Sequence, residues 1–443
     1  MKLPMPAPDW NQLLSDLTQS NPEALGGLLT QDPQDDRYYH WDQLRYRTPP
    51  HGWSHEAWWI ALKFSRNSQR RHVNLRDKTG RQFSFSMTDT LLRAAEQVAL
   101  RAGGSVGTAE SLLGTGDRNR YIVQSLVEEA ISSSQLEGAS TSRRVAKELL
   151  ESGREPADKS ELMIYNNYVA MEMIREEQDA ELTPEFVLQL HRVLTDGTLE
   201  DPNDAGRLET PDHDRVAVWD NDLKLHQPPP AEELPDRLQQ LCSFANMKDA
   251  DGIYIPPVVR AIVVHFMVGY DHYFADGNGR TARALFYWAM LKHGYWLSEY
   301  VTISRILKKA PSEYARAYLY TEDDGSDLTY FIHYQLDVFL RALSDLESYV
   351  TAKRDEFRSV LDALKVTKDQ LNSRQVDLLE HLVQEEAEWS VAEYASKYRI
   401  SAETARQDLN GLVDLHLLIK FRRSKAHLWR GAPDLAARLT RKN

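Results

Sequence analysis

Asp271–Leu291 reads DHYFADGNGRTARALFYWAML, and this stretch decides how the rest of the chain is read. An apolar run approaches it (Ile262, Val263, Val264, Phe266, Met267, Val268) and a second one leaves it. Between them stand His272, Asp276, three turn-forming residues, Arg280 and Arg283, so a polar cluster is set between two buried elements. Gly277-Asn278-Gly279 is costly inside a helix, because glycine loses the most backbone entropy there and Asn-Gly favours left-handed turns. One helix is therefore expected to stop near His272 and a new one to start near Arg280.

A turn whose consecutive N–H groups open a helix N-terminus is an anion site, with backbone donors and the positive end of the dipole aimed at one point. Arg280 and Arg283, three residues apart in the first turn, can face the same ligand. Arginine is disfavoured at that end of a helix by roughly 0.3–1 kcal/mol, so two of them imply a multiply charged anion such as a polyphosphate. Asp276 would repel that anion unless a cation intervenes, and Mg2+ held by one carboxylate and phosphate oxygens is the usual solution. His272 then lies near the α-phosphate, where a neutral imidazole can take a proton from a hydroxyl nucleophile.

His272 to Arg283, HYFADGNGRTAR, resembles the signature of the Fic (filamentation induced by cAMP) domain family, H-x-F-x-[DE]-G-N-G-R-x-x-R, at every specified position. The resemblance implies an all-α core and transfer of AMP from ATP to a hydroxyl of a protein side chain. It implies His272 as general base, Asp276 as Mg2+ ligand and Phe274 as core anchor. Gly277, Asn278, Gly279 and Arg280 would form the phosphate loop, and Arg283 would hold the γ-phosphate. Val216 and Val218 on one arm and Leu223 and Leu225 on the other, around Asp220-Asn221-Asp222, read as a β-hairpin. It sits where the family has its flap, which registers a target segment by strand addition.

Upstream, YIVQSLVEEAISSSQLEGAS (Tyr121–Ser140) carries a helical stripe of Ile122, Leu126, Ala130 and Ser133, with Gly138 as a stop. Glu137 falls in the last turn, where the dipole opposes a carboxylate unless a cation is near. Ser133 to Gly138, SSQLEG, resembles the inhibitory motif [ST]-x-x-x-E-[GN] of the same family, which implies that Glu137 pairs with Arg283 and restrains the enzyme in cis. In some relatives this glutamate positions a water for removal of AMP, so a deAMPylase stands as an alternative.

The whole chain has 443 residues, 42% hydrophobic and 27% charged, which suits a soluble protein of several domains. The opening MKLPMPAPDWNQ lacks the apolar core of a secretory leader, and no apolar run is long enough to span a bilayer. A cytoplasmic protein is expected, with no membrane partner. The lone Cys242 allows no intrachain disulfide and reads as a small apolar residue. His213, His226 and His265 lack metal-ligand spacing and read as surface or satisfied core residues. No Walker-type lysine loop occurs.

Net charge is -13, but residues 396–443 carry 11 basic against 4 acidic residues, so any polyanionic partner should meet the C-terminus. The expected fold is mainly α, in five parts. Residues 1–105 form a small aromatic-rich α/β domain, with Tyr38, Tyr39, Trp41, Trp53, Trp58 and Trp59 in its core and a hairpin turning at Thr79-Gly80. Asp89 is expected to cap the helix that follows. Residues 106–155 hold the inhibitory helix, 156–350 the catalytic core, 351–370 a helical linker and 371–443 a winged helix-turn-helix. In the last part Ser390 and Ser401 cap helices, and a two-stranded basic wing follows. Such a module docks DNA or protein, which leaves a transcription regulator with the core as nucleotide sensor as a rival reading. A homo-oligomer is a further expectation.

Overall fold

The computed structural model describes residues 1–103, 117–212, 214–247, 252–366, 371–384, 387–423 and 426–440. His213 therefore lies outside the described residues. Side-chain caps set most helix starts. Asp9 opens α1 (Trp10–Ser20), α2 (Pro22–Thr30) follows, His40 and Gln43 form a capping box on α3 (Trp41–Leu44), and Ser54 caps α4 (His55–Asn67). Strands β1 (Arg70–Arg76) and β2 (Gln82–Ser86) pair antiparallel across a turn in which Gly80 takes φ 83°. The cap of α5 (Asp89–Ala102) is Thr88, one residue earlier than expected, because its hydroxyl accepts from Leu91 N. Trp41, Trp58, Trp59 and Tyr38 are buried.

This N-terminal part does not stand apart. The described residues of 1–103 and 122–343 form one compact unit, and those of 117–121 and 344–440 the other. Lys63 donates to both oxygens of Asp324 at 2.8 Å, and Tyr38 Oη donates to Asp327 at 2.7 Å. β2 also bonds the loop that carries those acids, Ser84 N to Ser326 O and Leu328 N to Ser84 O. Each of these buried polar groups thus finds its partner across roughly 250 residues of chain, which binds the first hundred residues to the helical body.

The body is built from α6 (Asp117–Leu136), α7 (Arg143–Ser152), α8 (Lys159–Glu176) and α9 (Pro184–Thr195), then the hairpin β3 (Val218–Asp220) and β4 (Leu223–His226). There follow α10 (Leu234–Ala245), α11 (Pro257–Asp271), α12 (Asn278–Lys292), α13 (Ile303–Lys309), α14 (Pro311–Asp323) and α15 (Thr329–Val366). Thr183 caps α9 with Pro184 at its first position, as its sequence requires. α11 and α12 pack along each other and are buried on nearly every face, so they form the central pair around which the others stand. The polar cluster lies in the loop between them. Cys242 is buried, and burial pushes its thiol up to about 12.

The C-terminal unit has its own core of Leu378, Leu379, Tyr394, Leu409, Leu412 and Trp429. Its helices are α16 (Ser373–Gln384), α17 (Val391–Tyr398) and α18 (Ala402–Asp414), with Ser390 and Ser401 as caps. Strand β5 (Glu388–Trp389) precedes α17, and β6 (Leu418–Arg423), β7 (Ala426–Gly431) and α19 (Leu435–Thr440) end the chain. The sheet is three-stranded, in the order β5-β7-β6, where the sequence had suggested two strands. The added strand comes from Trp389, whose backbone pairs with the buried Trp429.

Candidate active site

The site begins where α11 ends. The last carbonyls of a helix lack intrahelical donors, and here each has one. Val268 O accepts from His272 N, Gly269 O from His272 Nδ1 at 3.3 Å, Tyr270 O from His226 Nε2 at 2.7 Å, and Asp271 O from Arg215 Nη2 at 2.8 Å. His272 caps the helix in the left-handed region at φ 51°, ψ 58°, a costly place for a side chain with a Cβ. Its Nδ1–H faces Gly269 O, which leaves the Nε2 lone pair available. Burial holds its pKa down at about 4, against the Gly269 bond that raises it and with help from the nearby His226 and Arg215. The ring is therefore neutral at pH 7.

α12 starts at Asn278, two residues before the expected place. Gly277 sits outside it with φ 85°, and a Cβ there would meet Thr195 Cγ2 at 2.7 Å and His191 Nε2 at 3.1 Å. Only Gly277 breaks the helix; Asn278 and Gly279 are already in its first turn. Asn278 is buried, and its side chain clasps the loop by accepting from Phe274 N at 3.0 Å and donating to Phe274 O at 2.6 Å. Its backbone, not its amide group, is what the helix N-terminus presents. Phe274 is wholly buried and stacks on His191 with centroids 3.7 Å apart. His191 accepts from Gly206 N on Nδ1, so its Nε2 carries the proton donated to Asp276 O at 2.8 Å. Burial keeps this imidazole neutral, near 4.

The two arginines diverge. Arg280 is buried and donates to Leu194 O at 2.9 Å, with Asp276 Oδ2 3.6 Å away. Burial, only partly answered by Asp276, lowers its pKa from the ordinary guanidinium range. Arg283 donates Nε to Ser133 Oγ at 2.9 Å, and Nη2 to Ser133 O at 3.1 Å and to Glu137 Oε1 at 2.7 Å. Burial opposes its charge, but the Glu137 carboxylate prevails and the pKa is raised. α6 ends at Leu136, so Glu137 lies just past the helix, with Gly138 at φ 94° turning the chain away. A Cβ on Gly279 would come within 2.2 Å of Glu137 Oε1. The Glu137 carboxylate therefore lies against the first turn of α12, where backbone donors and dipole favour an anion.

Asp276 is 57% exposed at the mouth of this loop. Among the described residues no group of three or more His, Cys, Asp or Glu could hold a metal ion. A single exposed carboxylate fits a hard cation whose remaining ligands are phosphate oxygens and water.

The hairpin β3–β4 pairs Val218 with His226, Trp219 with Lys224 and Asp220 with Leu223, with an irregularity after Val218. Leu223 is partly buried on β4. Val216, expected on the first arm, precedes the strand and is 41% exposed. The chain there is held by Arg215, which pairs with Glu209 and donates to Asp271 O and His272 O, so the arm begins two residues later. Trp219 is 55% exposed on this hairpin. Sequence reading passed over Arg215, His191 and Trp219, and took His226 as a surface or satisfied core residue; it is buried, with a contact on each ring nitrogen. Tyr314 and Tyr318, one turn apart on α14, were also missed, although Tyr318 Oη reaches the space beside Gly269 and both hydroxyls sense the charges of Arg283 and Glu137. Nothing in their local sequence separates them from core tyrosines.

A helix end that holds a neutral imidazole is thus followed by a left-handed glycine that opens an arginine-bearing helix N-terminus, in a mainly helical unit. Residues 181–290 match the family model described as Fic/DOC family, and this segment of the chain is a Fic domain. The protein adenylyltransferase fic-1 of Caenorhabditis elegans is 28% identical over 169 residues, 36% of this chain and 30% of that protein. The protein adenylyltransferase Fic of Drosophila grimshawi is 27% identical over 180 residues, 39% of this chain and 33% of that protein. The matches thus span about a third of the length of these relatives. A Fic family protein from Desulfovibrio desulfuricans G20 shares the fold, with a TM-score of 0.51 at 17% identity, over 79% of this chain and 98% of that one.

Proposed function

We propose that this protein transfers AMP from ATP to a hydroxyl of a Ser, Thr or Tyr side chain on a target protein, and that Glu137 restrains the transfer. The observation that carries the reading is His272: a neutral imidazole with its Nδ1 proton committed to Gly269 O and its Nε2 free, one loop away from the anion-binding start of α12. The relatives named as protein adenylyltransferases support it. In the reaction the hydroxyl oxygen attacks the α-phosphorus, the bond to the bridging oxygen breaks and pyrophosphate leaves with that electron pair. Nε2 of His272 takes the hydroxyl proton. The amides at the start of α12 receive the phosphates, Arg283 receives the γ-phosphate, and Asp276 would hold a Mg2+ ion. Bound Mg2+ supplies charge neutralisation there.

Glu137 takes the partner that the γ-phosphate needs, and it lies against the same helix end. The flap residues Val216, Val218 and Leu223 border the site where a target segment adds as a strand. Self-modification follows when the brake is released, since the chain itself is the nearest protein. Incubation with α-labelled ATP tests this: label should enter protein with Glu137→Gly and not with His272→Ala, and no labelling from either variant would sink it.

A second reading concerns the C-terminal unit alone, which we read as a winged helix that contacts duplex DNA. Lys420, Arg422 and Arg430 are exposed on β6 and β7, and α18 is the helix that would enter a groove. Arg406 and Arg423 are already paired with Glu403 and Glu388, which weakens the field. A salt-dependent shift of a DNA duplex by the full chain supports contact, and no shift at low salt excludes it.

A further inference from the structure

The strand that closes the flap ends at His226, and its ring is held from both sides. Nε2 lies 2.7 Å from Tyr270 O, and Nδ1 lies 2.8 Å from Oε2 of Glu322 on α14. A carbonyl oxygen only accepts, so Nε2 carries a proton. An ionised carboxylate also only accepts, so the second contact requires another proton, on Nδ1 or on Glu322. The pair therefore holds one proton more than a neutral imidazole facing a carboxylate.

Two neighbours favour the imidazolium–carboxylate form. Lys78 Nζ stands 3.8 Å from the same Glu322 oxygen, a cation beside the acceptor. The ring also caps the C-terminal turn of α11, whose dipole end is negative and favours a cation. The other titratable groups that face it are Tyr270, with ring centroids 4.8 Å apart, and Asp271 and His272 at the end of the same helix. Only 7% of His226 is exposed.

We propose that the protonated His226–Glu322 pair is a latch that fixes β4 of the flap to the backbone in front of His272, so that His226 is a positioning residue for the transfer. The consequence for transfer rests on the function proposed above; the latch itself does not. When the shared proton leaves, the Nδ1 lone pair faces the Glu322 carboxylate and the contact turns repulsive, so the His226 ring keeps only its Tyr270 bond, while Lys78 Nζ still donates to Gln227 O just past β4 at 2.9 Å.

Amide hydrogen exchange of residues 218–226 in the full chain, corrected for intrinsic rates, reads the latch without nucleotide. In the wild type, protection should fall about tenfold as pH rises through loss of the proton, which corresponds to about 1.4 kcal/mol. Glu322→Gln should keep the protection and lose its pH dependence, because a carboxamide N–H can donate to a neutral Nδ1. His226→Phe, which keeps ring volume, should exchange fast at every pH. Equal protection in His226→Phe and wild type, or a pH dependence that survives in Glu322→Gln, overturns the latch. Nitrogen NMR of the His226 ring in the wild type gives an answer even if a variant misfolds: both nitrogens should be protonated at the low-pH end, and a neutral ring there overturns it. In the Glu137→Gly background, adding His226→Phe should lower self-labelling from α-labelled ATP about tenfold and adding Glu322→Gln should restore the rate seen without it. Unchanged labelling in the double variant removes the positioning role. No labelling in Glu137→Gly itself removes the transfer reading and leaves the exchange result standing.

Discussion

Arg283 Nη2 donates to Glu137 Oε1 at 2.7 Å across 146 residues of sequence, and the same guanidinium also holds Ser133 through Oγ and the carbonyl oxygen. A hydrogen bond between charged groups contributes about 1.5–3 kcal/mol when the partner it leaves is buried, as Arg283 is. An anion that takes Glu137's place must overcome that amount. Glu137→Gly should therefore strengthen ATP binding by roughly 10- to 100-fold. Isothermal titration of ATP into both proteins measures it, and equal affinities would show that the pair does not compete with nucleotide. Ser133→Ala, which removes only one of the three contacts, should give a smaller gain in the same direction.

In the function proposed above, His272 is a base whose readiness is set by burial. With its pKa near 4, the imidazole is neutral throughout the physiological range. The acid limb of the pH profile for kcat/KM should accordingly lie near 4 and not near the ordinary 6.5 of histidine. Labelling rates of Glu137→Gly between pH 4 and 8 test this. Loss of the general base typically costs about 10²–10⁴-fold, so His272→Ala should lose the transfer while it still binds ATP. An acid limb near 6.5 would mean that the ring becomes solvated once substrate is bound.

The loop HYFADGNGRTAR was legible because its chemistry is local: a glycine in the left-handed region, an asparagine that clasps the preceding turn, and arginines on the next helix. Thr183-Pro184, the hairpin at Thr79-Gly80 and the caps at Ser390 and Ser401 were legible for the same reason. What escaped was set by contacts distant in sequence. Arg215 reaches the carbonyls of Asp271 and His272, and His191 reaches Asp276 O from α9. Neither position carries a local signal, because an arginine before a strand and a histidine on an amphipathic helix are ordinary in both roles. Arg280 shows the converse limit. Spacing put it on the same face as Arg283, yet burial beside Leu194 O committed its side chain elsewhere.

Gly277 should tolerate no side chain. Alanine there would have to hold φ 85° and place its Cβ 2.7 Å from Thr195 Cγ2 and 3.1 Å from His191 Nε2. Left-handed backbone in a non-glycine residue costs about 1–3 kcal/mol before any clash. Gly277→Ala should therefore lower the urea midpoint by an amount equivalent to at least about 2 kcal/mol and shift the His191 ring resonances. Gly153, also left-handed but with nothing within 4 Å, is the control: Gly153→Ala should cost the backbone term alone. Equal losses in the two variants would show that the contacts with Thr195 and His191 add nothing.

Four histidines, His191 and His265 buried and His272 and His333 partly buried, should make the larger unit acid-sensitive. Burial depresses His191, His272 and His333 to about 4 and His265 to about 3, whereas in the unfolded chain each titrates near 6.5. Between those limits the unfolded state binds more protons, so stability rises with pH. The contribution is complete above about 6.5 and is lost as pH falls toward 4. Asp271 acts in the opposite sense: burial raises it to about 6, so it favours the folded state at low pH and offsets one of the four. Each group in its titrating range changes stability by about 1.4 kcal/mol per pH unit. Urea midpoints should thus be flat from pH 8 to 7 and fall steeply between 6.5 and 4.5. Replacing His265, whose Nδ1 is buried with no hydrogen-bond partner, by Phe should make that fall shallower. A midpoint that stays constant down to pH 4.5 would mean that these rings reach water in the folded state.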